Sequence, residues 1–440
     1  MHSHFLKPVL TFLLSITLFT TPILATTPET TAEGVILIEP KTNTILYEKN
    51  AHKRLYPASI TKIMTALIIA EEMPPSTSIT RSSESISNVP WDSSSIGLSL
   101  GDRYNMINAL HGLLLGSDNY IAYDLAVTHS NSITAFANKM NQRAQSYGAL
   151  NTHFANPHGY HDPQHYTTAY DMAQIAKAAF SNPTVQKIAG KATSTFFLQN
   201  RGQTIPLTNT SRLLRSETPY YNPHVVACKT GFHDDAQQTL VAKAVYDDLE
   251  LIAVVMKTST PNQYLDINRL FDYGQAHFSI EQTPHGYQLI NHTMSAWAKP
   301  TIDAALELGW IVTNGTNYQD AISLEALTGI LKNITPLKGN LRASEMTDTT
   351  SRKLNESVTR KNMAQIIFYL NQKLSLPHSK TTSTTTVSDI ENLSLSDQKA
   401  IHFVLTNHLL SLQEAEKFNP NAPITYEEAL CALYKYFYLT

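Results

Sequence analysis

The stretch Tyr56–Lys62 reads YPASITK, and the apolar residues that follow it recur at helical spacing as far as Glu72. If Ser59 opens this helix, Lys62 lies three residues further along on the same face, so the two side chains can meet. The first turn of a helix also presents free N–H groups and a positive dipole, which suit an oxyanion. A serine hydroxyl needs a neighbouring base to act as a nucleophile, and a lysine can be that base when burial lowers its pKa. Taken alone, the pattern is more often a serine-capped helix with a surface lysine.

A second motif, Ser117-Asp118-Asn119, stands between an apolar run and another helical stretch. Its serine offers a second hydroxyl for proton relay, and its asparagine offers an amide that can hold the lysine and a substrate carbonyl. Taken alone, the same three residues form an ordinary capped turn between two helices.

A third motif, Lys229-Thr230-Gly231, precedes two apolar runs, at 239–245 and 249–256, that predict an antiparallel hairpin. A strand at this point could pair its backbone with an extended peptide, and the glycine would let that peptide approach closely. The lysine and the threonine would attract the terminal carboxylate of such a peptide. Taken alone, the motif is a solvated strand end.

The three motifs occur together and in this order, and S-x-x-K, S-D-N and K-T-G are jointly typical of class A β-lactamases and penicillin-binding proteins. On these residues the chain resembles the low-molecular-weight penicillin-binding proteins of the D-alanyl-D-alanine carboxypeptidase type, serine peptidase family S11. The stretches Tyr56–Ser59, Asn151–Tyr170 and Asn268–Gly274 are also similar to that family. The resemblance covers roughly residues 33 to 275.

This resemblance implies a serine carboxypeptidase that removes the terminal D-alanine from peptidoglycan stem peptides and that β-lactams acylate. It implies an α+β fold of the penicillin-binding/β-lactamase-like transpeptidase type, with an antiparallel sheet and a helical cluster. The implied catalytic residues are Ser59, Lys62 and Ser117, and the implied substrate-binding residues are Asn119, Lys229, Thr230 and Gly231. Neither a cofactor nor a metal is expected.

The periodicity of the chain favours the same fold class. The predicted elements come in this order: a hairpin at 34–47, a helical block from 60 to 147, the hairpin at 239–256 and a helix at 268–273. This order fits an antiparallel sheet with its helices gathered together better than a doubly wound parallel sheet. The serine-rich segment 76–95 predicts a loop with short strands.

Three regions can be distinguished along the chain. Residues 1–25 combine a weakly basic start, a short apolar core and a small residue, Ala25. They predict a signal peptide and a location in the periplasm or cell envelope, with an uncleaved membrane anchor as the alternative. Residues 33–278 form the predicted catalytic domain, and residues 285–440 a mainly helical domain.

The helical region contains three similar segments, Ile322–Ile334, Val358–Leu370 and Ile424–Phe437. In each, an apolar residue is followed by a Ser or Thr helix cap and then by an apolar helical face. They loosely resemble S-layer homology repeats, which bind cell-wall polymers, although three unrelated amphipathic helices would share the pattern.

The net charge argues against nucleic-acid binding, and the pattern of cysteines and histidines argues against metal binding. A formal net charge of −3 gives no concentrated positive surface for nucleic acid. Cys228 and Cys431 stand about two hundred residues apart and predict buried thiols. One stretch is rich in histidine, with His153, His158, His161 and His165. It lacks the spacing of a helical zinc motif, and the family resemblance accounts for it as a structural loop.

The sequence departs from the family in two places. After Gly231 and Phe232, residues 233–238 read HDDAQQ, where family members commonly have a turn that ends in Ala-Gly. Family members also commonly carry an arginine shortly before the segment at 268–274, to help bind the substrate carboxylate. Here Gln263 is the nearest polar equivalent and Arg269 the nearest cation. Both departures bear on carboxypeptidase efficiency more than on acylation.

Three other functions stay open. A β-lactamase of the same fold needs an efficient deacylating base, and no E-x-x-x-N segment occurs between residues 119 and 229. A DD-endopeptidase would use the same motifs. A weakly catalytic wall-binding protein would rely on the region from 281 to 440.

Overall fold

The computed structural model describes residues 28–284, 286–295, 297–311, 316–334, 356–374, 386–413 and 416–438. The predicted signal peptide at 1–25 lies outside these described residues. The strands are β1 Gly34–Glu39, β2 Thr44–Lys49, β3 Ser78–Thr80, β4 Arg103–Asn105, β5 Thr193–Leu198, β6 Gln203–Thr208, β7 Val225–His233, β8 Gln237–Tyr246, β9 Leu249–Thr258, β10 Phe278–Thr283 and β11 Gly286–Asn291.

The helices of the catalytic part are α1 Lys62–Glu72, α2 Ser83–Asn88, α3 Met106–Leu114, α4 Asn119–Ser130, α5 Ile133–Ser146, α6 Ala169–Ser181, α7 Pro183–Ala189 and α8 Asn262–His277. Those that follow are α9 Lys299–Glu307, α10 Leu324–Asn333, α11 Arg360–Leu374, α12 Leu395–Thr406 and α13 Tyr426–Tyr438. Two 3-10 turns, Ala58–Thr61 and Arg212–Leu214, complete the set. Among the described residues, every helix falls short of the length and apolar character that crossing a bilayer requires.

A five-stranded antiparallel sheet in the order β2-β1-β9-β8-β7 organises the catalytic part. The two predicted hairpins are its β1–β2 and β8–β9 pairs. Along β9, Ile252 and Val254 belong to one hydrophobic core and Ala253 and Val255 to another. Successive strand residues point to opposite faces, so the sheet is covered on both sides. The α+β fold class predicted from the sequence is confirmed, and β7 forms one edge of the sheet.

Helix α1 lies at the centre of the helical cluster that covers one face of the sheet. Its residues from Lys62 to Ile69 are all buried, because the sequence KIMTALIIA is apolar around nearly the whole helix. The helical block predicted between residues 60 and 147 is confirmed, with α3, α4 and α5 as its later helices. A buried helix in a close-packed core fixes the position of its first residues.

Two local expectations are corrected. Ser59 does not open an α-helix: it lies in the 3-10 turn Ala58–Thr61, and α1 begins at Lys62. The serine-rich segment 76–95 is not only loop and strand, because it contains α2. The hydroxyl of Ser82 accepts the N–H of Ser85 there, and this N-cap starts the helix.

The region predicted to be helical from 285 begins instead with the hairpin β10–β11. Phe278 of β10 is buried in the core under α8, and Leu289 of β11 packs against that core. The sequence of β11, GYQLIN, does not alternate apolar and polar residues, so it carries only a weak strand signal. The helices predicted in this region are present from Lys299 onward.

The described residues from 298 onward bury a hydrophobic core of their own. Isolated β-bridges join the segments ahead of α10, α11 and α13 to one another: Ala321 to Thr425, Ser323 to Ser357, and Thr359 to Pro423. The three similar segments therefore converge on one point.

Each of the three helices is capped by the hydroxyl predicted from the sequence. Ser323, Thr359 and Thr425 accept the N–H groups of Ala326, Asn362 and Glu428. These caps satisfy N–H groups that the first turn of a helix leaves without partners.

Candidate active site

Ser59 is a partly exposed residue held on a tight turn between the helical cluster and the edge of the sheet. The preceding residue, Ala58, has φ +50°, a conformation that L-residues adopt at a cost and that the surroundings must enforce. Gly159 packs directly against this turn, since a Cβ placed on it would lie 1.9 Å from the carbonyl oxygen of Ala58. The loop that contains Gly159 thereby helps to hold the turn.

The amine of Lys62 is fully buried beside the serine. Its Nζ lies 2.8 Å from Ser59 Oγ, 2.6 Å from Asn119 Oδ1 and 2.7 Å from the carbonyl oxygen of His158. The amide oxygen and the backbone carbonyl can only accept hydrogen bonds. A neutral amine gives its two N–H groups to them, and its lone pair then faces the hydroxyl of Ser59.

Burial lowers the pKa of Lys62 well below its usual 10.5, and the positive charge of Lys229 lowers it further. Asp118 acts in the opposite direction with a smaller effect. Desolvation penalises the charged form of an amine, so this site favours the neutral base. The arrangement can therefore remove the proton of Ser59.

The Ser117–Asn119 motif is held in place by a buried network of charges. Asp118 is the N-cap of α4, where its carboxylate accepts from the N–H of Ile121. The same carboxylate forms a fully buried ion pair with Arg81, at 3.3 Å. Ser117, one residue earlier, has φ +57°, a backbone conformation that L-residues adopt at a cost. Its Oγ accepts from Lys229 Nζ at 3.0 Å.

Lys229 lies on the edge strand and is also fully buried. Its Nζ donates to Ser117 Oγ and, at 2.8 Å, to the carbonyl oxygen of Thr230. Burial lowers the pKa of Lys229 to about 7. The structure thus links Ser59 to Lys62 and Ser117 to Lys229 within one site.

Strand β7 passes so close to the serine that only glycine fits at position 231. A Cβ placed on Gly231 would lie 2.4 Å from Thr239 Oγ1, 2.8 Å from the backbone nitrogen of Ser59 and 2.9 Å from the carbonyl oxygen of Pro57. Sequence reasoning assigned this glycine to the approach of a substrate. The structure shows a further reason, the contact between the strand and the turn that carries the serine.

The cleft in front of Ser59 is a cavity of about 430 Å³. Its lining residues are Ser59, Asp92, Ser93, Ser94, Asn119, Gly159, Tyr160, His161, Phe232, His233, Asp234 and Asp235. The strand end that follows the third motif therefore forms one wall, and the loop at 159–161 forms part of another.

Two contributions to the site were missed at the sequence level. The His158 carbonyl binds Lys62, and Thr210 Oγ1 lies 2.6 Å from Thr230 Oγ1. A backbone carbonyl carries no residue-specific signal, although the stretch 151–170 had been singled out as similar to the family. Nothing in the sequence marked Thr210.

Three histidines of this stretch, His153, His158 and His165, support the loop by hydrogen bonds. His165 Nδ1 accepts from the N–H of Ala155, so the neutral ring carries its proton on Nε2 and donates it to Thr61 Oγ1 at 2.8 Å. Burial lowers the pKa of His165 to about 3, which keeps the ring neutral. Both cysteines are free and buried, as predicted, and burial raises the pKa of Cys228 to about 12.

An uncharged residue, Gln263, is the nearest polar equivalent of the arginine that family members carry. Gln263 is buried and donates to Gln238 Oε1 at 3.1 Å. Arg269 instead pairs with Asp266 and with the carbonyl oxygen of Glu29.

Residues 21–260 match the family described as D-alanyl-D-alanine carboxypeptidase, peptidase S11. The chain belongs to this family. It is 33% identical over 247 residues to the D-alanyl-D-alanine carboxypeptidase DacF of Bacillus subtilis, covering 55% of this chain and 61% of that protein. It is 30% identical over 266 residues to DacA of Haemophilus influenzae, covering 59% and 65%. The chain thus spans less than two thirds of the length of these relatives.

A solved structure shares the fold of this D-alanyl-D-alanine carboxypeptidase family member. The Streptomyces K15 DD-transpeptidase superposes with a TM-score of 0.53 at 27% identity, and the match covers 57% of this chain and 99% of that one. The family match includes all five strands of the central sheet, helices α1 to α7 and the three motifs. The described residues beyond the hairpin β10–β11 fall outside the family match.

Proposed function

We propose that this protein is a serine D-alanyl-D-alanine carboxypeptidase that acts on peptidoglycan stem peptides through an acyl-enzyme on Ser59. We propose that penicillin is bound covalently by the same residue. The proposal depends on one observation above the others: Lys62 Nζ lies 2.8 Å from Ser59 Oγ in a buried site that lowers its pKa. A base so placed turns a weak hydroxyl into a nucleophile.

In the acylation step, Lys62 takes the proton of Ser59, and Oγ attacks the carbonyl carbon of the penultimate D-alanine. Backbone N–H groups of Ser59 and of β7 stabilise the oxyanion, since the two segments are adjacent at Gly231. Ser117 relays a proton to the nitrogen of the departing D-alanine. Water then attacks the ester and releases the shortened peptide.

In the bound complex, Asn119 positions Lys62 and the substrate. Lys229 and Thr230 hold the terminal carboxylate. The extended peptide lies along the free edge of β7, because this strand has no neighbour on its outer side within the described sheet. With Gln263 in place of an arginine, the carboxylate depends more heavily on Lys229.

A labelled penicillin tests the acylation step. We expect covalent labelling of the native protein and none of Ser59→Ala. Ser146→Ala, which alters an exposed serine, serves as the matched control and should label normally. Equal labelling of the native protein and of Ser59→Ala would rule out the proposed nucleophile.

Product analysis with a peptide that ends in D-Ala-D-Ala tests the reaction itself. We expect release of a single D-alanine. Cleavage of cross-linked dimers without this release would favour a DD-endopeptidase, and rapid hydrolysis of bound penicillin would favour a β-lactamase. Acylation without turnover of any peptide would favour a weakly catalytic wall-binding protein.

We also propose that the protein is exported and works in the cell envelope, where its substrate is found. Fractionation with an antibody to the native chain tests this. Binding of a cell-wall polymer by the three repeated segments stays a prediction from the sequence. Sedimentation with purified sacculi would test it, and equal sedimentation with and without residues 281–440 would contradict it.

A further inference from the structure

Two histidines and an aspartate converge at the catalytic cleft although they are distant in sequence. His161 comes from the loop between α5 and α6, His233 ends β7, and Asp235 lies in the turn before β8. One ligand atom from each can be chosen so that all lie within 4.8 Å of one another. Within the part of the chain that the structure describes, this is the one such group of three.

The spacing of one pair of these ligand atoms suits a tetrahedral metal ion. His161 Nδ1 lies 3.4 Å from Asp235 Oδ2. Zinc bonds of about 2.0–2.2 Å at tetrahedral angles place two ligand atoms roughly 3.3–3.5 Å apart. A pair of imidazoles with a carboxylate is also an established ligand set for zinc.

His161 Nδ1 is buried and makes no hydrogen bond. A buried nitrogen without a hydrogen-bond partner is costly, and binding an ion through its lone pair would remove that cost. The neighbouring ring of Tyr56 packs against both imidazoles, with ring centroids 4.8 Å from His161 and 6.1 Å from His233. The two imidazoles are therefore held close to each other by packing before any ion binds.

One hydrogen bond opposes metal binding. His233 Nδ1 accepts from the N–H of Ala236 at 3.1 Å, which leaves the proton of the neutral ring on Nε2. To offer a lone pair, the ring must release this hydrogen bond or turn over. The loss of one such bond lowers affinity by roughly tenfold or less, which a three-ligand site can sustain.

We propose that His161, His233 and Asp235 bind a divalent transition-metal ion such as Zn²⁺ at the mouth of the catalytic cleft. Three protein ligands leave the fourth coordination position open to water or to an oxygen of a molecule in the cleft. The three residues line the same cavity as Ser59, so the bound ion lies beside the path of the substrate. The site is independent of the proposed hydrolysis.

The sequence could not reveal this site. His161 stands among other histidines of its own loop, and these are engaged in hydrogen bonds that support the loop. Its partners come instead from the HDDAQQ segment, at which the chain departs from the family pattern. The departure and the site are thus the same feature.

Calorimetric titration of the full, untagged chain with Zn²⁺, after treatment with a chelator, tests the proposal. We expect one ion per chain. His161→Asn and His233→Asn should each weaken binding at least tenfold. Asparagine at 233 keeps an oxygen that can accept the N–H of Ala236. His402→Asn, at an exposed histidine on α12, is the matched control and should bind as the native protein does.

Asp235→Asn provides a variant with little risk to folding, because this side chain is 59% exposed. It too should weaken binding about tenfold or more, with an unchanged melting temperature. Co²⁺ in place of Zn²⁺ should give the intense visible absorption of a tetrahedral site in the native protein and lose it in Asp235→Asn. The proposal is wrong if the native chain binds no ion, or if the variants bind as tightly as the native chain.

Discussion

At the scale of single residues, the proposed chemistry depends on the protonation state of one buried amine, that of Lys62. Asn119 Oδ1 and the His158 carbonyl define two directions of hydrogen-bond donation from Lys62, so the third direction belongs to Ser59. An ammonium would donate in all three directions, whereas a neutral amine keeps its lone pair for the serine. Burial and the nearby charge of Lys229 favour the neutral form.

Lys62→Arg tests the role of this amine as a base. The guanidinium is always charged and cannot lose a proton at ordinary pH, so we expect acylation by penicillin to slow by about 10²–10⁴-fold. Stopped-flow labelling measures the rate. Lys139→Arg, on the surface of α5, should leave the rate unchanged. A rate within a few-fold of native for Lys62→Arg would show that another group removes the proton.

The pH dependence of acylation follows from the two buried lysines. Below its lowered pKa, Lys62 holds a proton and cannot act as a base, so the rate should rise with pH on the acid side. Lys229 must hold its proton to attract the carboxylate of the ligand. With its pKa lowered to about 7, it loses that charge above neutral pH, so the rate should fall again.

We therefore expect a bell-shaped dependence of kcat/KM on pH, which reports the pKa values of groups in the free enzyme. The fall on the alkaline side should lie near pH 7, the pKa of Lys229. Measurement of the second-order acylation rate between pH 5 and 10 checks this expectation. A rate that keeps rising up to pH 10 would mean that the charge of Lys229 is not required for binding.

At the scale of elements, the site is the meeting of a turn, a helix start and an edge strand. The short motifs predicted which side chains lie together in the candidate site, because S-x-x-K, S-D-N and K-T-G each require particular residue types. They could not predict how the elements meet. The φ of +50° at Ala58 and the contact of Gly159 with its carbonyl are results of tertiary packing between distant segments.

The same limit explains what the sequence left out. The His158 carbonyl and Thr210 act through position, and neither the backbone nor a lone threonine has a distinctive pattern. The hairpin β10–β11 was missed because its strands are short and half exposed, which weakens their periodicity. The long apolar strands and helices of the cores were predicted because burial imposes a clear period on them.

Gly231→Ala tests the contact between β7 and the turn. The added methyl group would meet the backbone of Ser59 and Pro57, which cannot move without displacing the nucleophile. We expect acylation to slow by at least about 100-fold and the free energy of unfolding to fall by about 1–3 kcal/mol. Penicillin labelling and urea denaturation measure the two effects.

Gly329→Ala is the control for this substitution. Gly329 lies within α10 with open space around its Cα, so alanine should preserve labelling and stabilise the helix by up to about 1 kcal/mol. If Gly231→Ala were acylated at the native rate, the close approach of the strand would not be needed for catalysis.

At the scale of the whole molecule, the described residues form three cores. Two of them cover the faces of the central sheet, and the third contains only residues from 298 onward. The residues of the active site belong to the turn, helices and strand around the first two cores. Each core excludes water from its own apolar side chains, so the third contributes little to the positions of Ser59 and Lys62.

A chain that ends after Thr293 should therefore keep its acylation rate within about twofold of the full protein, because distant and independent parts contribute additively. A chain that ends after His277 should behave differently, since it lacks Phe278, which is 2% exposed in the core beneath α8. Loss of one buried phenylalanine costs about 3–5 kcal/mol, so this shorter chain should unfold at a clearly lower temperature. Thermal unfolding and penicillin labelling of the two chains measure both effects. Slow labelling of the longer chain would show that the third core takes part in shaping the cleft, because no residue of the first two cores is removed by that cut.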